Sequence, residues 1–261
     1  MATPSQLTGA PCWIDSVTSN LDTFKAFYGG LFGWDFTDAG PEYGNYHTIE
    51  SPSGRVGGVM PLVAIPDEYR VPGTEDAWGV YLRVSDADAV VERALANGAE
   101  ALVGVMAMPE IGRSGTLRAP DGAVVSTWEP GGVNGFDVIG EPGTPVWFEL
   151  HTRAYDTAVA FYRDVFGWDT KVQADEPTFR YTTLGDGDAM AAGIMDASGW
   201  YPEGTPGEWS VYFSTTDIEK SIAGATELGA TVVDGPDDTP YGRLATLIDP
   251  NGAKFKLRQT D

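Results

Sequence analysis

The chain has 261 residues, 42% hydrophobic and 11% aromatic, enough apolar material for one large domain or two small ones and too much for a disordered chain. Sixteen Lys and Arg against 38 Asp and Glu give a formal charge of −22, which argues against nucleic acid and anionic membrane surfaces as partners. One cysteine, Cys12, and two histidines, His47 and His151, exclude an internal disulfide, a thiolate metal site and a His-rich metal site.

The N-terminal MATPSQLTGAPCW lacks a basic start followed by an apolar run, and no stretch nears roughly 18 continuous apolar residues. No secretory signal or membrane span is expected, and with its lone cysteine the protein is expected to be cytoplasmic. Trp13 to Val17 alternates as a strand does. Leu21, Phe24, Phe27, Leu31 and Phe32 then recur at helical spacing, and Gly33 sits where a helix C-terminal glycine belongs. Strand-like runs follow near 34–38, 45–50 and 56–63. The order repeats with a strand at 78–84, a helix at 86–97 stopped by Gly98, and strands near 101–107, 115–118 and 123–128, with Asp121-Gly122 as a hairpin turn. Residues 131–144 are rich in Gly and Pro and read as a connection, not a core element.

The rest of the chain is a second copy. Trp147-Phe148-Glu149 matches Trp13-Ile14-Asp15, and FYRDVFGW (161–168) matches FYGGLFGW (27–34), both at an offset of 134 residues. WSVYFSTTD (209–217) matches WGVYLRVSD (78–86), and DPNGAKFKLR (249–258), with its Asn251-Gly252 turn, matches APDGAVVSTW (119–128). The expected organisation is 1–130, a linker 131–144, and 145–261. The expected fold class is α+β, four tandem βαβββ modules. A module's helix covers one face of its sheet and leaves the other open, so pairing modules makes two cups, each a default binding cavity. Pairing of one with two and three with four is expected; one with four also fits. Both partners lie in one chain, so a monomer is expected, with a homodimer as the other reading.

This βαβββ quartet, the FYxxLFGW-type segment and the terminal DPNG hairpin resemble the vicinal oxygen chelate superfamily, which includes glyoxalase I, extradiol dioxygenases, fosfomycin resistance enzymes and bleomycin resistance proteins. The two-copy arrangement resembles actinobacterial glyoxalase/bleomycin-resistance/dioxygenase-like proteins, over about residues 10–259. The resemblance implies two glyoxalase/bleomycin-resistance-like cups. In metal-dependent members it implies His, Gln or Glu ligands on the first and last strands of each module. Those positions fall here on Trp13, Gly79, Trp147 and Ser210, and near Gly58, Ser126, Gly193 and Lys256. Displaced by two residues, the first-strand set becomes Asp15, Tyr81, Glu149 and Tyr212, one carboxylate and one phenol per cup. None of these sets is a divalent-metal site, so no metal and no cofactor are expected.

Metal-free members of the family bind antibiotics by sequestration, and the strand parity here suits an aromatic small-molecule ligand. Trp13, Asp15, Tyr81 and Trp128, with Met60 as a wall, are the candidates in the first cup. Trp147, Glu149, His151, Tyr212, Lys256 and Arg258, with Met195, are those in the second. Trp and Tyr offer stacking faces, and a carboxylate pairs with an amine or accepts from a hydroxyl. Asp15 and Glu149 read either as ligand anchors or general bases, or as buried structural acceptors; Lys256 would neutralise Glu149 in the latter case. The leading reading is metal-independent binding for sequestration, self-resistance or biosynthetic assistance. The alternative is a glyoxalase-like or natural-product-pathway enzyme with Glu149, His151 and Tyr212 as its acid–base residues. Tyr69, Trp200 and Tyr201 lie on long connections suited to covering a cavity mouth.

Overall fold

The computed structural model describes residues 6–71 and 74–260. The first copy runs β1 (Pro11–Thr18), α1 (Leu21–Phe32), β2 (Asp35–Asp38), β3 (His47–Ser51), β4 (Gly54–Pro61), β5 (Ala77–Arg83), α2 (Ala87–Ala96), β6 (Glu100–Met108), β7 (Gly112–Arg118) and β8 (Val124–Pro130). The second runs β9 (Pro145–Thr152), α3 (Tyr155–Phe166), β10 (Thr170–Glu176), β11 (Phe179–Leu184), β12 (Ala192–Asp196), β13 (Glu208–Thr215), α4 (Ile218–Glu227), β14 (Thr231–Thr239), β15 (Gly242–Ile248) and β16 (Lys254–Gln259).

Local chemistry sets the helix ends. Asn20, Asp86 and Asp217 each accept a backbone N–H of the first turn, at the starts of α1, α2 and α4. α1 and α3 stop where Gly33 and Gly167 turn left-handed, at φ 69° and 71°. Each copy forms one eight-stranded sheet, in the order β2-β3-β4-β1-β5-β8-β7-β6 and β10-β11-β12-β9-β13-β16-β15-β14. The two modules of a copy join through antiparallel pairing of their first strands, β1 with β5 and β9 with β13. Modules one and two therefore form one cup, and modules three and four the other.

The repeated aromatic segment clamps helix to sheet and copy to copy. In each copy the second aromatic of the FY pair takes an indole N–H from the opposite module, Trp78 to Tyr28 and Trp209 to Tyr162, both at 2.9 Å. The closing tryptophans reach beyond their own copy's modules: Trp34 Nε1 donates to the Gly143 carbonyl at 2.7 Å, and Trp168 Nε1 to that of Gly9 at 2.9 Å. Phe32 meets Phe213, and Phe27 meets Phe255, with ring centroids 5.3 and 5.9 Å apart. The helical sides of the two sheets thus share one aromatic core.

Residues 131–144 are more than a connection, contrary to the sequence expectation. Phe136 and Val138 are buried, and Phe136 stacks between Trp13 of β1 and Phe148 of β9. Asp137 holds Arg55 of β4 through both carboxylate oxygens. Two apolar side chains among many glycines escaped a reading based on composition, yet they pack against the first strand of each copy.

Candidate functional site

The first cup holds an open cavity of about 750 Å³, within the usual size of small-molecule sites. Its floor comes from alternate residues of adjacent strands, Asp15 and Val17 of β1, Gly79 and Tyr81 of β5, Ser126 of β8, and Thr116 and Arg118 of β7. The connection after β4 supplies Leu62, Ile65, Tyr69, Arg70 and Val71 on another side, and residues 204–209 and Lys254 of the second copy border it. Tyr81 donates its hydroxyl to Asp15 Oδ2 at 2.6 Å. Burial raises the Asp15 carboxyl to about 6, against the pull of the Tyr81 hydrogen bond. Next to this pair, Trp13 Nε1 donates to the Tyr46 hydroxyl at 2.9 Å.

The second cup repeats the arrangement and saturates its carboxylate. Glu149 Oε1 accepts from Tyr181 at 2.7 Å, and Oε2 from Tyr212 at 2.6 Å. His151 Nε2 lies 2.6 Å from Oε2, and its Nδ1 meets the Tyr201 hydroxyl at 3.2 Å. Trp147 Nε1 donates to the Tyr181 hydroxyl at 3.0 Å, as Trp13 does to Tyr46. Glu149, His151, Tyr181 and Tyr212 are all buried. Burial alone would raise the Glu149 carboxyl. The His151 hydrogen bond and charge, the nearby Lys256 charge and the Tyr212 hydroxyl outweigh it and hold the group at about 2.

The structure therefore brings Glu149, His151 and Tyr212 together, in a closed network whose carboxylate has a partner on each oxygen. Lys256 lies over the Tyr212 ring at 5.0 Å instead of contacting Glu149. Asp15 and Tyr81 are on the cavity wall. Trp13 is buried under Phe136, and Trp128 is buried with its N–H on the Val133 carbonyl; neither lines the cavity. Residues 131–144 cover both. Met60 and Met195 are half-buried near the ends of β4 and β12 and outside that wall, and Arg258 is half-buried on β16. Of the connection residues, Tyr69 faces the first cavity, Tyr201 closes on His151, and Trp200 is exposed. Sequence reasoning passed over Tyr46, Tyr181, Thr116 and Arg118, which lie in no recognisable motif.

The profile of the Glyoxalase/Bleomycin resistance protein/Dioxygenase superfamily matches residues 13–127 and again 144–257. The chain belongs to this superfamily. A Mycobacterium tuberculosis relative, "Putative glyoxylase CFP32", is 32% identical over 252 residues, covering 95% of this chain and 94% of the relative. The "Anthracycline biosynthesis protein DnrV" of Streptomyces peucetius is also 32% identical, covering 95% of this chain and 92% of that protein. Among solved structures, the Mn(II)-bound glyoxalase from Novosphingobium aromaticivorans superposes with a TM-score of 0.61 at 19% identity, over 97% of this chain and 83% of that one. The likeness to that structure is one of fold.

The superfamily's metal chemistry needs several anionic or imidazole donors converging on one point. This chain's residues do not fit that demand. A side chain on Gly58, opposite Asp15 on β4, would begin 1.7 Å from the Tyr46 hydroxyl, and one on Gly193, opposite Glu149, 2.1 Å from that of Tyr181. Where a ligand side chain would stand, a phenol stands instead. Burial and the adjacent carboxylates push these tyrosines' ionisation up, so they remain neutral. Among the described residues no three His, Cys, Asp or Glu side chains cluster.

Proposed function

We propose that this superfamily member binds a small aromatic molecule in its first cup without a metal, for sequestration or for assistance to a biosynthetic step. The observation that carries the reading is the contrast between the cups. The first joins an open cavity to a carboxylate with a spare oxygen, whereas the second buries a saturated carboxylate. Val17, Leu62, Ile65, Val71 and Tyr69 supply apolar surface for a ring system, and Asp15 supplies an acceptor for a hydroxyl or amine. The anthracycline-biosynthesis relatives make a fused-ring polyketide the first class to try.

The test is calorimetric titration of an anthracycline-type aglycone before and after exhaustive chelation. Equal affinity in the two preparations is expected. Binding that vanishes on chelation and returns with Mn²⁺ overturns the metal-independent reading.

A second reading, an acid–base enzyme, is favoured by one observation. Asp15, held near 6, is poised to exchange a proton close to neutral pH. Turnover of a bound ligand that is lost in Asp15→Asn, with binding retained, would establish it over simple binding.

A further inference from the structure

We propose that a row of polar side chains across the first cup, Asp15–Tyr81–Ser126–Thr116, selects ligands by reading a hydroxyl-and-carbonyl edge on a flat fused-ring system, with Asp15 Oδ1 accepting the ligand's hydroxyl above Gly79. The proposal rests on the reading of the first cup as a binding site.

The four residues stand on adjacent strands, β1, β5, β8 and β7, with Tyr81 in register with Ser126 and Ser126 with Thr116. Neighbouring strands are ~4.8 Å apart, so the row runs roughly 14 Å across the cup floor. That is the length of a linear polycycle, too long for a single ring to use. The row is continuous: Tyr81 donates to Asp15, the Ser126 hydroxyl adjoins that of Tyr81, and Ser126 and Thr116 share a hydrogen bond at 3.0 Å. At its far end Arg118, two residues beyond Thr116 on the same face, adds a donor for a carbonyl; its ion pair to Glu100 is long at 3.5 Å. The connection opposite supplies Leu62, Ile65 and Val71. A ligand with one polar edge and one apolar face matches these walls.

The near end is where the selection is sharpest. Tyr81 occupies Asp15 Oδ2, and no hydrogen bond from the described residues reaches Oδ1. A β-carbon on Gly79 would lie 3.2 Å from Oδ1, so the missing side chain is what leaves that oxygen open to the cavity. The second cup is an internal comparison. Its corresponding row is Glu149–Tyr212–Lys256–Thr246, its carboxylate is saturated, and Ser210 stands where the first cup has Gly79.

The experiment is a tryptophan-fluorescence titration at pH 7 with 2-hydroxyanthraquinone and with its O-methyl ether, which keeps the ring and the carbonyls but cannot donate. The wild type is expected to bind the hydroxyl compound about tenfold more tightly than the ether. Gly79→Ala, at a backbone conformation open to alanine, should erase the preference with an unchanged unfolding midpoint. Ser210→Ala in the second cup should preserve it. If Gly79→Ala lowers the midpoint, Asp15→Asn decides instead, since it keeps an acceptor for Tyr81 and should also lose the preference. Equal affinity for the two compounds overturns the row as the selective element while leaving the first cup as a binding site. Failure of both compounds to bind overturns the binding reading and the row with it.

Discussion

Asp15 and Glu149 hold the same register position in their sheets, yet their surroundings drive them in opposite directions. Asp15 sits near 6 in the folded chain against ~3.9 when unfolded. The folded state thus binds the proton more tightly, and this residue's effect is to lower stability as pH rises from about 4 to about 6, with no further change above. Asp15→Asn removes that cost while still accepting from Tyr81. It is expected to unfold at a higher temperature than the wild type at pH 7.5, by the equivalent of about 2–3 kcal/mol, and to converge with it near pH 4. Glu149, near 2 when folded and ~4.3 unfolded, contributes stability above ~4.3 that is lost as pH falls toward 2. Glu149→Gln is expected to lose about 2–3 kcal/mol at neutral pH, measured by urea unfolding, with the deficit shrinking in acid. Both carboxylates were evident in the sequence from the repeat. Which of them keeps an oxygen open to a cavity was not, because that depends on His151, Tyr181 and Gly79, neighbours on the same strand or one or two strands away.

At the scale of elements, the strands that flank these carboxylates explain what periodicity could and could not reach. The first strand and helix of each copy were legible because alternation and the FYxxLFGW segment stay in step at 134 residues. Tyr46 and Tyr181, and Gly58 and Gly193, are offset by 135, one residue out of step, so alignment of the copies at a single offset separates them. The glycines were recognised as positions where a metal ligand would stand; the phenols that fill the space come from the residue before β3 and from β11, neither in a motif. Because the Tyr181 hydroxyl packs against the bare Gly193 backbone, Gly193→Ala is expected to destabilise by about 2–3 kcal/mol and to disturb the Trp147–Tyr181 pair. A near-ultraviolet circular dichroism spectrum and a denaturant curve would register both effects; an unchanged curve would mean that the phenol moves aside freely.

For the whole molecule, the aromatic core shared by the two copies outweighs the apparent modularity of the repeat. The offset predicted two units, and the structure joins them through Trp34 to Gly143, Trp168 to Gly9, and the Phe32–Phe213 contact. The sequence carried no sign of this joining, since the same residues would serve as core in a free-standing unit. Unfolding of the full chain is expected to be a single cooperative transition by calorimetry and by fluorescence. Residues 1–130 and 145–261 expressed separately should expose these faces and self-associate; well-behaved monomers from both would contradict the shared core.

That joint unfolding bears on how a duplicated chain tolerates change. When both copies stand or fall together, a substitution that weakens one is judged against the stability of the pair. The saturated carboxylate of the second copy then acts as a reserve for the first. The first copy is free to keep an unsatisfied acid beside a gap and to alter its cavity walls by mutation. The copy with the saturated carboxylate is thereby what lets the other vary the walls of its cavity.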